Sequence, residues 1–434
     1  MSSAAALILF ALALVVCIAF DISILFALVF GYGIFFVYGR THGHSAKALL
    51  RLSWDGIKTT KNVLLTFIFI GMLTAVWRAC GTIAFIIYRC APLIAPSTVL
   101  LLTFLLCSLV SVLTGTAFGT AATAGVICMT LANAMGIPPV LSGGAMLAGV
   151  YFGDRCSPMS TSALLVSELT KTDIYKNIRA MVKTAAVPFL ASCVIYFFLG
   201  RTAAGEGAAD GVWELFARHF DLGWYVAIPA ALVLILSAFR VRVRVAMGVS
   251  VVVGCVLCLA VQGMDVVTLC RTLVFGYTAS DAQLGVMMNG GGLVSMVRVA
   301  AIVSLSSSYS GIFRGTGLLD ALIGVLRRFA ARTSPLFVTL TVSLAAGCAA
   351  CNQTLSIILT HQLCTQLYER GEDEAINLAD TVVVIAPLIP WSIAGATPLT
   401  TVGAPTAGIA AAFYLFLFPL WRLLEDSMKK MLKK

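Results

Sequence analysis

The stretch Gly149-Val-Tyr-Phe-Gly-Asp-Arg-Cys-Ser-Pro-Met-Ser160 (GVYFGDRCSPMS) decides the fold, because it interrupts an apolar segment, 141–166, that is long enough to cross a membrane once. Proline removes a backbone donor and clashes with the preceding turn, and glycine weakens a helix further. The stretch therefore predicts a discontinuous helix with freed backbone groups near the bilayer midplane. Such backbone is tolerated only where it lines a polar cavity or is buried in protein.

The composition places this segment in a membrane protein. The chain has 434 residues, of which 60% are hydrophobic and 11% charged, and its mean hydropathy is +0.99. A soluble domain carries about 25% charged residues. We predict an all-α polytopic bundle of about 10–12 transmembrane segments with no separate soluble domain. The apolar runs are 4–20, 22–39, 62–88, 97–136, 180–199, 224–238, 245–262 and 406–421.

The distribution of charge predicts an orientation. The net charge of +10 is explained by lysine and arginine in cytoplasmic loops, so nucleic acid is not an expected partner. An acidic stretch, 201–221, is expected outside, which leaves both termini in the cytoplasm of a multi-pass protein of the inner cell membrane. No P-loop or other enzyme motif is present, so we expect neither an ATP-driven pump nor an enzyme. The basic segments are 39–61, 171–183, 240–244 and 429–434.

The order of elements recurs, which predicts two inverted-topology repeats. Residues 1–200 form the first repeat, 201–223 an extracytoplasmic connector and 224–434 the second repeat. Each repeat is expected to hold flanking spans, a helical hairpin and a discontinuous helix. Arg78 stands three residues before Gly81, and Arg314 three before Gly317. Inverted repeats of this kind are the common plan of secondary transporters.

Two long tracts with small polar middles predict the hairpins. Tracts 97–136 and 335–368 are too long for one crossing, and the expected tips are Thr114-Gly115-Thr116 and Asn352-Gln353-Thr354. Two full spans in each tract is the alternative. Asn352 and Gln353 equally fit a role in joining helices, because amide side chains form hydrogen bonds between membrane helices.

Asp154 is the central candidate residue. Freed carbonyls, hydroxyl groups and one carboxylate suit a small hard cation such as sodium. The alternative is a plain proline kink in which Asp154 and Arg155 form a local ion pair. A second interrupted segment, 385–405, has no acid at its centre. It would contribute backbone and the hydroxyl groups of Ser392, Thr397, Thr400 and Thr401.

Together these segments resemble the NhaC-type sodium/proton antiporter family. The segments that carry the resemblance are 71–85, 111–125, 149–160, 352–363 and 386–391, and the string FGD-x-x-SP-x-S in 149–160 is the most specific. The resemblance implies sodium/proton antiport by alternating access, with sodium as the coupled ion and no cofactor. By analogy with the wider group it also implies a homodimer. The predicted ion-binding residues are Asp154, Ser157, Ser160, Thr114, Thr116, Asn352 and Gln353.

Two departures keep a second function open. The family string usually continues with an aspartate, where this chain has Thr161. Arg78 and Arg314 stand in core segments and would suit a carboxylate, unless they snorkel to an interface or pair with an acid such as Asp320. The alternative is therefore a sodium- or proton-coupled carrier of a small carboxylate or amino acid, of the malate/lactate type. The predicted substrate-binding residues are Arg78, Arg314, Ser392 and Thr397.

Overall fold

The computed structural model describes residues 2–20, 22–90, 94–203, 212–239, 241–318, 334–350 and 352–432. Across these ranges the chain is helical, and an isolated bridge between Tyr277 and Gly290 is the only β pairing. The helices up to the acidic connector are α1 (Ser3–Ala19), α2 (Ile24–Thr41), α3 (Ala46–Thr59), α4 (Lys61–Ala79), α5 (Thr82–Cys90), α6 (Val99–Thr114), α7 (Ala117–Thr120), α8 (Val126–Ala134), α9 (Pro139–Cys156), α10 (Thr161–Thr170) and α11 (Ile174–Ala203).

The remaining helices follow the connector. They are α12 (Val212–His219), α13 (Ile228–Ala238), α14 (Val243–Ala260), α15 (Val266–Phe275), α16 (Ala282–Met288), α17 (Gly292–Ser295), α18 (Val297–Thr316), α19 (Pro335–Ala350), α20 (Gln353–Cys364), α21 (Gly371–Asp380), α22 (Val382–Ile385), α23 (Ile393–Val402) and α24 (Phe413–Leu432).

Several helices are long and apolar enough to cross a bilayer. In the described ranges five reach this length, and a sixth span results if the bent pair Gly371–Leu388 and Ile393–Val402 is counted as one. Shorter apolar helices accompany them in α1, α2, α13, α15, α18 and α19. The prediction of a helical multi-pass membrane protein is confirmed. The five long spans are Lys61–Ala79, Pro96–Thr114, Ala117–Ala134, Ile174–Ala203 and Val243–Ala260.

The apolar segment 141–166, which contains GVYFGDRCSPMS, is a broken helix. Helix α9 ends at Cys156, residues 157–160 are not helical, and α10 begins at Thr161. The hydroxyl of Ser160 accepts hydrogen bonds from the backbone amides of Ser162 and Ala163, so it caps the new helix. Close packing holds α9 in place, because a side chain at Gly153 would lie 2.4 Å from the backbone of Ser111 on α6.

Both long tracts fold back on themselves. In the first, Gly115 adopts a left-handed conformation (φ 65°) that ends α6, and the thiols of Cys107 and Cys128 then meet across the returning chain. A short π-helix, Ala121–Gly125, lies between α7 and α8.

In the second tract, Asn352 caps α20. Thr339 near the start of α19 contacts Tyr368 just beyond α20, with 2.6 Å between the two hydroxyl oxygens. Both tracts are therefore antiparallel helix pairs that turn at the predicted tips.

The second interrupted segment is also a broken helix. Helix α21 ends at Asp380, and Thr381 has a non-helical backbone (φ −120°, ψ −82°) before α22 begins. The chain then bends by 54° before α23. The hydroxyl of Ser392 accepts a hydrogen bond from the backbone amide of Ala394, so this half-helix is also capped by a serine.

The two halves of the chain pack into one another. Helix α4 of the first half contacts α14, α15 and α17 of the second, and α18 of the second half contacts α2 and α3 of the first. Gly81 follows the end of α4 and Gly317 ends α18, each with a positive φ, three residues after Arg78 and Arg314. This correspondence supports the inverted repeats, which stay a prediction.

Some element boundaries differ from the sequence prediction. The apolar run 62–88 is two helices, α4 and α5, because Gly81 adopts φ 84° and ends the first. Residues 263–284, which lie in none of the predicted apolar runs, contain α15, whose N-terminus is capped by the side chain of Asp265. The last run, 406–421, starts as a 3₁₀ helix, and α24 begins only at Phe413.

Candidate ion-binding site

The carboxylate of Asp154 lies in the last turn of α9 and is 4% exposed. The hydroxyl of Ser160 donates to its Oδ1 atom at 3.0 Å, and the hydroxyl of Ser162 donates to Oδ2 at 2.9 Å. The side-chain amide of Gln353 donates to Oδ2 at 3.2 Å. The break after α9 and the tip of the second hairpin therefore meet at one buried acid.

Gln353 links this acid to the second broken helix. Its Nε2 atom also donates to the carbonyl oxygen of Val383 at 3.1 Å, and Val383 lies in α22. Tyr151, one turn before Asp154, donates to the carbonyl oxygen of Ala394 at 2.7 Å in the first turn of α23. Both broken helices and one hairpin tip are thus joined around the carboxylate.

Ser157 holds the break against the first hairpin and makes no hydrogen bond to Asp154. Its hydroxyl donates to the carbonyl oxygen of Val112 at 2.7 Å and accepts from the backbone amide of Met159 at 3.2 Å. At the tip of the same hairpin, the Thr114 hydroxyl lies 2.9 Å from that of Thr120. Ser157 and Thr114 therefore stay predictions as ion-binding residues.

Arg155 does not pair with Asp154. Its guanidinium is fully buried, forms an ion pair with Asp380 of α21, and donates to the carbonyl oxygen of Met181 at 2.8 Å in α11. Arg422 of α24 contacts the other oxygen of Asp380 at 2.5 Å. The alternative of a local pair between Asp154 and Arg155 is therefore wrong, and Asp154 is left without a basic partner among the described side chains.

A polar cavity of about 310 Å³ lies beside Gln353. Both hairpin tips line it, as do the first residues of both half-helices and the start of α4. Two arginines that precede and open α14 complete the lining. The lining includes Asn62, Thr66, Thr116, Gly119, Thr161, Arg242, Arg244, Asn352, Gln353, Ile393 and Ala394.

Two predicted hydroxyl residues lie on the second broken helix, away from any contact with Asp154. Ser392 caps α23. Thr397 is fully buried in the same helix, and its hydroxyl has no hydrogen-bond partner in the part of the chain that the structure describes. These two residues stay predictions as binding residues.

Arg78 lies near the other end of α4 from the cavity. It is twelve residues beyond Thr66, about 18 Å along a helix. Its only hydrogen bond to another described residue runs from Nη1 to the carbonyl oxygen of Thr74 at 3.3 Å. The side chain of Arg314 is outside the described part of the chain, as is Asp320. The structure thus brings different arginines, Arg242 and Arg244, to the cavity.

Sequence reasoning missed several residues of this region, and each carried a signal. Ser162 follows Ser160 by two positions in the same hydroxyl-rich string. Asp380 is an acid directly before an apolar run, and such an acid is expected to have a buried partner. Arg242 and Arg244 belong to a basic stretch that the sequence analysis used only for orientation.

The chemistry of the site suits a monovalent cation or a proton. Hydroxyl groups can donate to a bare carboxylate, or offer their lone pairs to a cation, so Ser160 and Ser162 serve either state of Asp154. Hard cations prefer such oxygen ligands. No group of three or more His, Cys, Asp or Glu side chains that could hold a metal ion occurs among the described residues. The single negative charge of Asp154, surrounded by neutral hydroxyl oxygens, therefore balances the single positive charge of a monovalent cation or a proton.

Comparison with known proteins identifies the family. The model of the Na+/H+ antiporter family matches residues 149–420, which is more than half of the chain. The Malate-2H(+)/Na(+)-lactate antiporter of Bacillus subtilis is 28% identical over 86% of this chain and 82% of its own length. The Na(+)/H(+) antiporter NhaC of Alkalihalophilus pseudofirmus is 27% identical over 86% of this chain and 85% of its own length.

A second NhaC Na(+)/H(+) antiporter, from Bacillus subtilis, is 27% identical over 87% of this chain and 86% of its own length. The matched region contains Asp154, its three donors and the breaks of both broken helices. The predicted family is confirmed, and the chain belongs to the Na+/H+ antiporter family.

Proposed function

We propose that this protein exchanges sodium for protons across a membrane, with Asp154 as the shared binding group. The observation that carries the proposal is a buried carboxylate whose hydrogen bonds come from two hydroxyls and an amide and, among the described residues, from no basic side chain. The two relatives named Na(+)/H(+) antiporter NhaC support the same exchange. Sodium is a substrate of the protein and not a cofactor.

Competition for one carboxylate couples the two fluxes. A bare carboxylate in a membrane interior costs at least about 2.5–3.5 kcal/mol. Either sodium or a proton removes that charge, and the two cannot occupy the same oxygens together. The loaded site is neutral in both cases, because Arg155 is already compensated by Asp380. Alternating exposure of Asp154 to the two sides then exchanges one ion for the other.

Proteoliposomes test the exchange. Purified protein is reconstituted with a pH-sensitive dye inside, and a sodium gradient is applied with no organic solute present. We expect the gradient to drive proton movement that follows the sodium concentration and fails with potassium. Absence of sodium-driven proton movement in protein that is folded by circular dichroism would overturn the proposal.

A second candidate function is the exchange of small carboxylates, and one observation favours it. Arg242 and Arg244 line the cavity next to Gln353, and neither guanidinium forms a hydrogen bond or ion pair with another described residue. Guanidinium groups bind carboxylates with two parallel hydrogen bonds. The relative named for malate and lactate supports this candidate. Counterflow of labelled dicarboxylates and monocarboxylates in the same proteoliposomes separates the two functions, because exchange of ions alone requires none of them.

The placement in the cell is part of the proposal. The basic loops support a cytoplasmic membrane with both termini in the cytoplasm, in accord with the positive-inside rule. Under this orientation the cavity with Arg242 and Arg244 opens toward the cytoplasm, since these residues belong to the basic stretch 240–244. A homodimer stays a prediction from the wider group.

A further inference from the structure

A groove on the outside of the bundle runs along α14 and shares two residues with the polar cavity. It has a volume of about 570 Å³ and is lined by Phe69 of α4 and by Val245, Gly248, Val249, Val252 and Val253 of α14. Arg242 and Arg244 stand at one end of it. The apolar wall faces the bilayer, since Val252 is 65% exposed and Val245 52% exposed.

The length of the groove matches one leaflet. From Arg242 to Val253 the helix rises about 16 Å, and half of a hydrocarbon core is about 15 Å. Gly248 gives the groove its depth, because a side chain there would lie 3.3 Å from the ring of Phe69. The floor is therefore long enough for an acyl chain and free of polar groups.

The charged end of the groove has no counter-ion among the described side chains. Neither guanidinium, of Arg242 or of Arg244, has a hydrogen bond or ion pair to another residue in the ranges that the structure describes. Arg242 precedes and Arg244 lies in the first turn of α14, a helix of 18 residues whose N-terminus also favours an anion. Val243 between them lies against Gly119 at the tip of the first hairpin, where an added side chain would meet it at 2.8 Å. Two such cations at a membrane interface attract anionic headgroups.

We propose that this groove is a binding site for an anionic phospholipid, with an acyl chain along α14 and the headgroup phosphate on Arg242 and Arg244. The occupant is a lipid because the polar end continues into an apolar channel that is open to the bilayer. A free carboxylate would fill only the arginine end. Charge complementarity selects an anionic headgroup over a zwitterionic one.

The site has a consequence for ion exchange, and this consequence rests on the function proposed above. The same two arginines line the cavity that leads to Gln353 and Asp154. Uncompensated, they oppose the entry of sodium. A bound phosphate group supplies the opposite charge, so an anionic lipid acts as a built-in counter-ion at the mouth of the cavity.

A lipid titration tests the site without any transport measurement. Purified, delipidated protein in detergent is titrated with fluorescent phosphatidylglycerol, and with phosphatidylcholine that carries the same chains. We expect preference for phosphatidylglycerol in the wild type. The double variant Arg242→Gln, Arg244→Gln is expected to bind it about 30-fold more weakly, equal to about 2 kcal/mol, because each interfacial arginine contributes about 1 kcal/mol.

A second variant tests the groove itself and leaves the charges in place. Val249→Trp fills the groove and is expected to weaken phosphatidylglycerol binding. Val256→Trp is the matched control, because Val256 is exposed on the same helix and does not line the groove. Equal affinity for the two lipids in the wild type, or equal affinity in Val249→Trp and Val256→Trp, would overturn the proposal. A failure of sodium-driven proton movement would instead concern only the proposed exchange.

Discussion

At the scale of single residues, one carboxylate and its donors carry the account. Asp154 and Gln353 are 199 positions apart in the sequence, and the structure brings them within 3.2 Å. Both were predicted, the aspartate from its broken helix and the amide from a hairpin tip. The contact between them could not be predicted, because the sequence does not show which side of a hairpin tip faces the break.

The contact between Gln353 and Asp154 leads to the first prediction. Gln353→Leu removes a hydrogen-bond donor that stabilises the charged form of the Asp154 carboxylate. The proton should then compete better with sodium for this carboxylate, so sodium should bind more weakly. A hydrogen bond to a charged group contributes about 1.5–3 kcal/mol. We therefore expect the sodium concentration for half-maximal exchange to rise at least about tenfold, as measured by sodium-driven proton movement in proteoliposomes.

Gln362→Leu is the control for this variant. Gln362 lies on the same helix, α20, and is exposed. Its replacement should leave the sodium dependence unchanged. Equal sodium dependence in Gln353→Leu and Gln362→Leu would remove Gln353 from the site and leave it as a contact between helices.

At the scale of elements, the two broken helices are held by a buried ion network. Arg155 next to the first break, Asp380 before the second, and Arg422 of α24 join four helices, α9, α11, α21 and α24. The break after Cys156 and the bend before α23 were predictable, because Pro158, Pro387 and Pro390 disfavour a continuous helix. The non-helical backbone at Thr381 was not, because no proline lies beside it. The ion network could not be predicted, because 225 positions in the sequence separate Arg155 from Asp380.

Asp380→Asn leaves the buried guanidinium of Arg155 and the partly buried guanidinium of Arg422 without their shared carboxylate. Loss of one partner from a buried ion pair costs about 3–5 kcal/mol. We expect a clear fall in the thermal unfolding midpoint of the purified protein in detergent. Glu425→Gln, at the more exposed end of the same network, should cost less than about 1 kcal/mol. Equal midpoints for the two variants would contradict this view of the network.

At the scale of the whole molecule, helices of each half of the chain pack against helices of the other half. Helix α4 packs on elements of the second half and α18 on elements of the first. Order and spacing in the sequence predicted two repeats. They did not predict this packing between the halves, because hydropathy shows which segments are apolar and not which segments are in contact. The family, the helical class and the multi-pass character were all accessible from composition and motifs.

The inverted arrangement predicts opposite sides for two chain positions. Glu206 and the side chain of Lys430, the positions that the charge pattern assigns most clearly, are outside the described residues. Thr202 at the end of α11 and Ser427 near the end of α24 are exposed and described. In a cysteine-free background, we expect an impermeant reagent added from outside to label Thr202→Cys in intact cells, and Ser427→Cys only after lysis. Labelling of both from one side would contradict the two-repeat scheme.

The central claim is that sodium and the proton bind the same carboxylate, and sodium binding with proton release tests it most directly. Purified protein in weakly buffered detergent solution is titrated with sodium while calorimetry records binding and a dye records released protons. The account predicts proton release with sodium binding in the wild type, loss of both in Asp154→Asn, and retention of both in Asp265→Asn, a variant of an exposed helix cap. Sodium binding of wild-type affinity in Asp154→Asn, or sodium binding to the wild type without proton release, would contradict it.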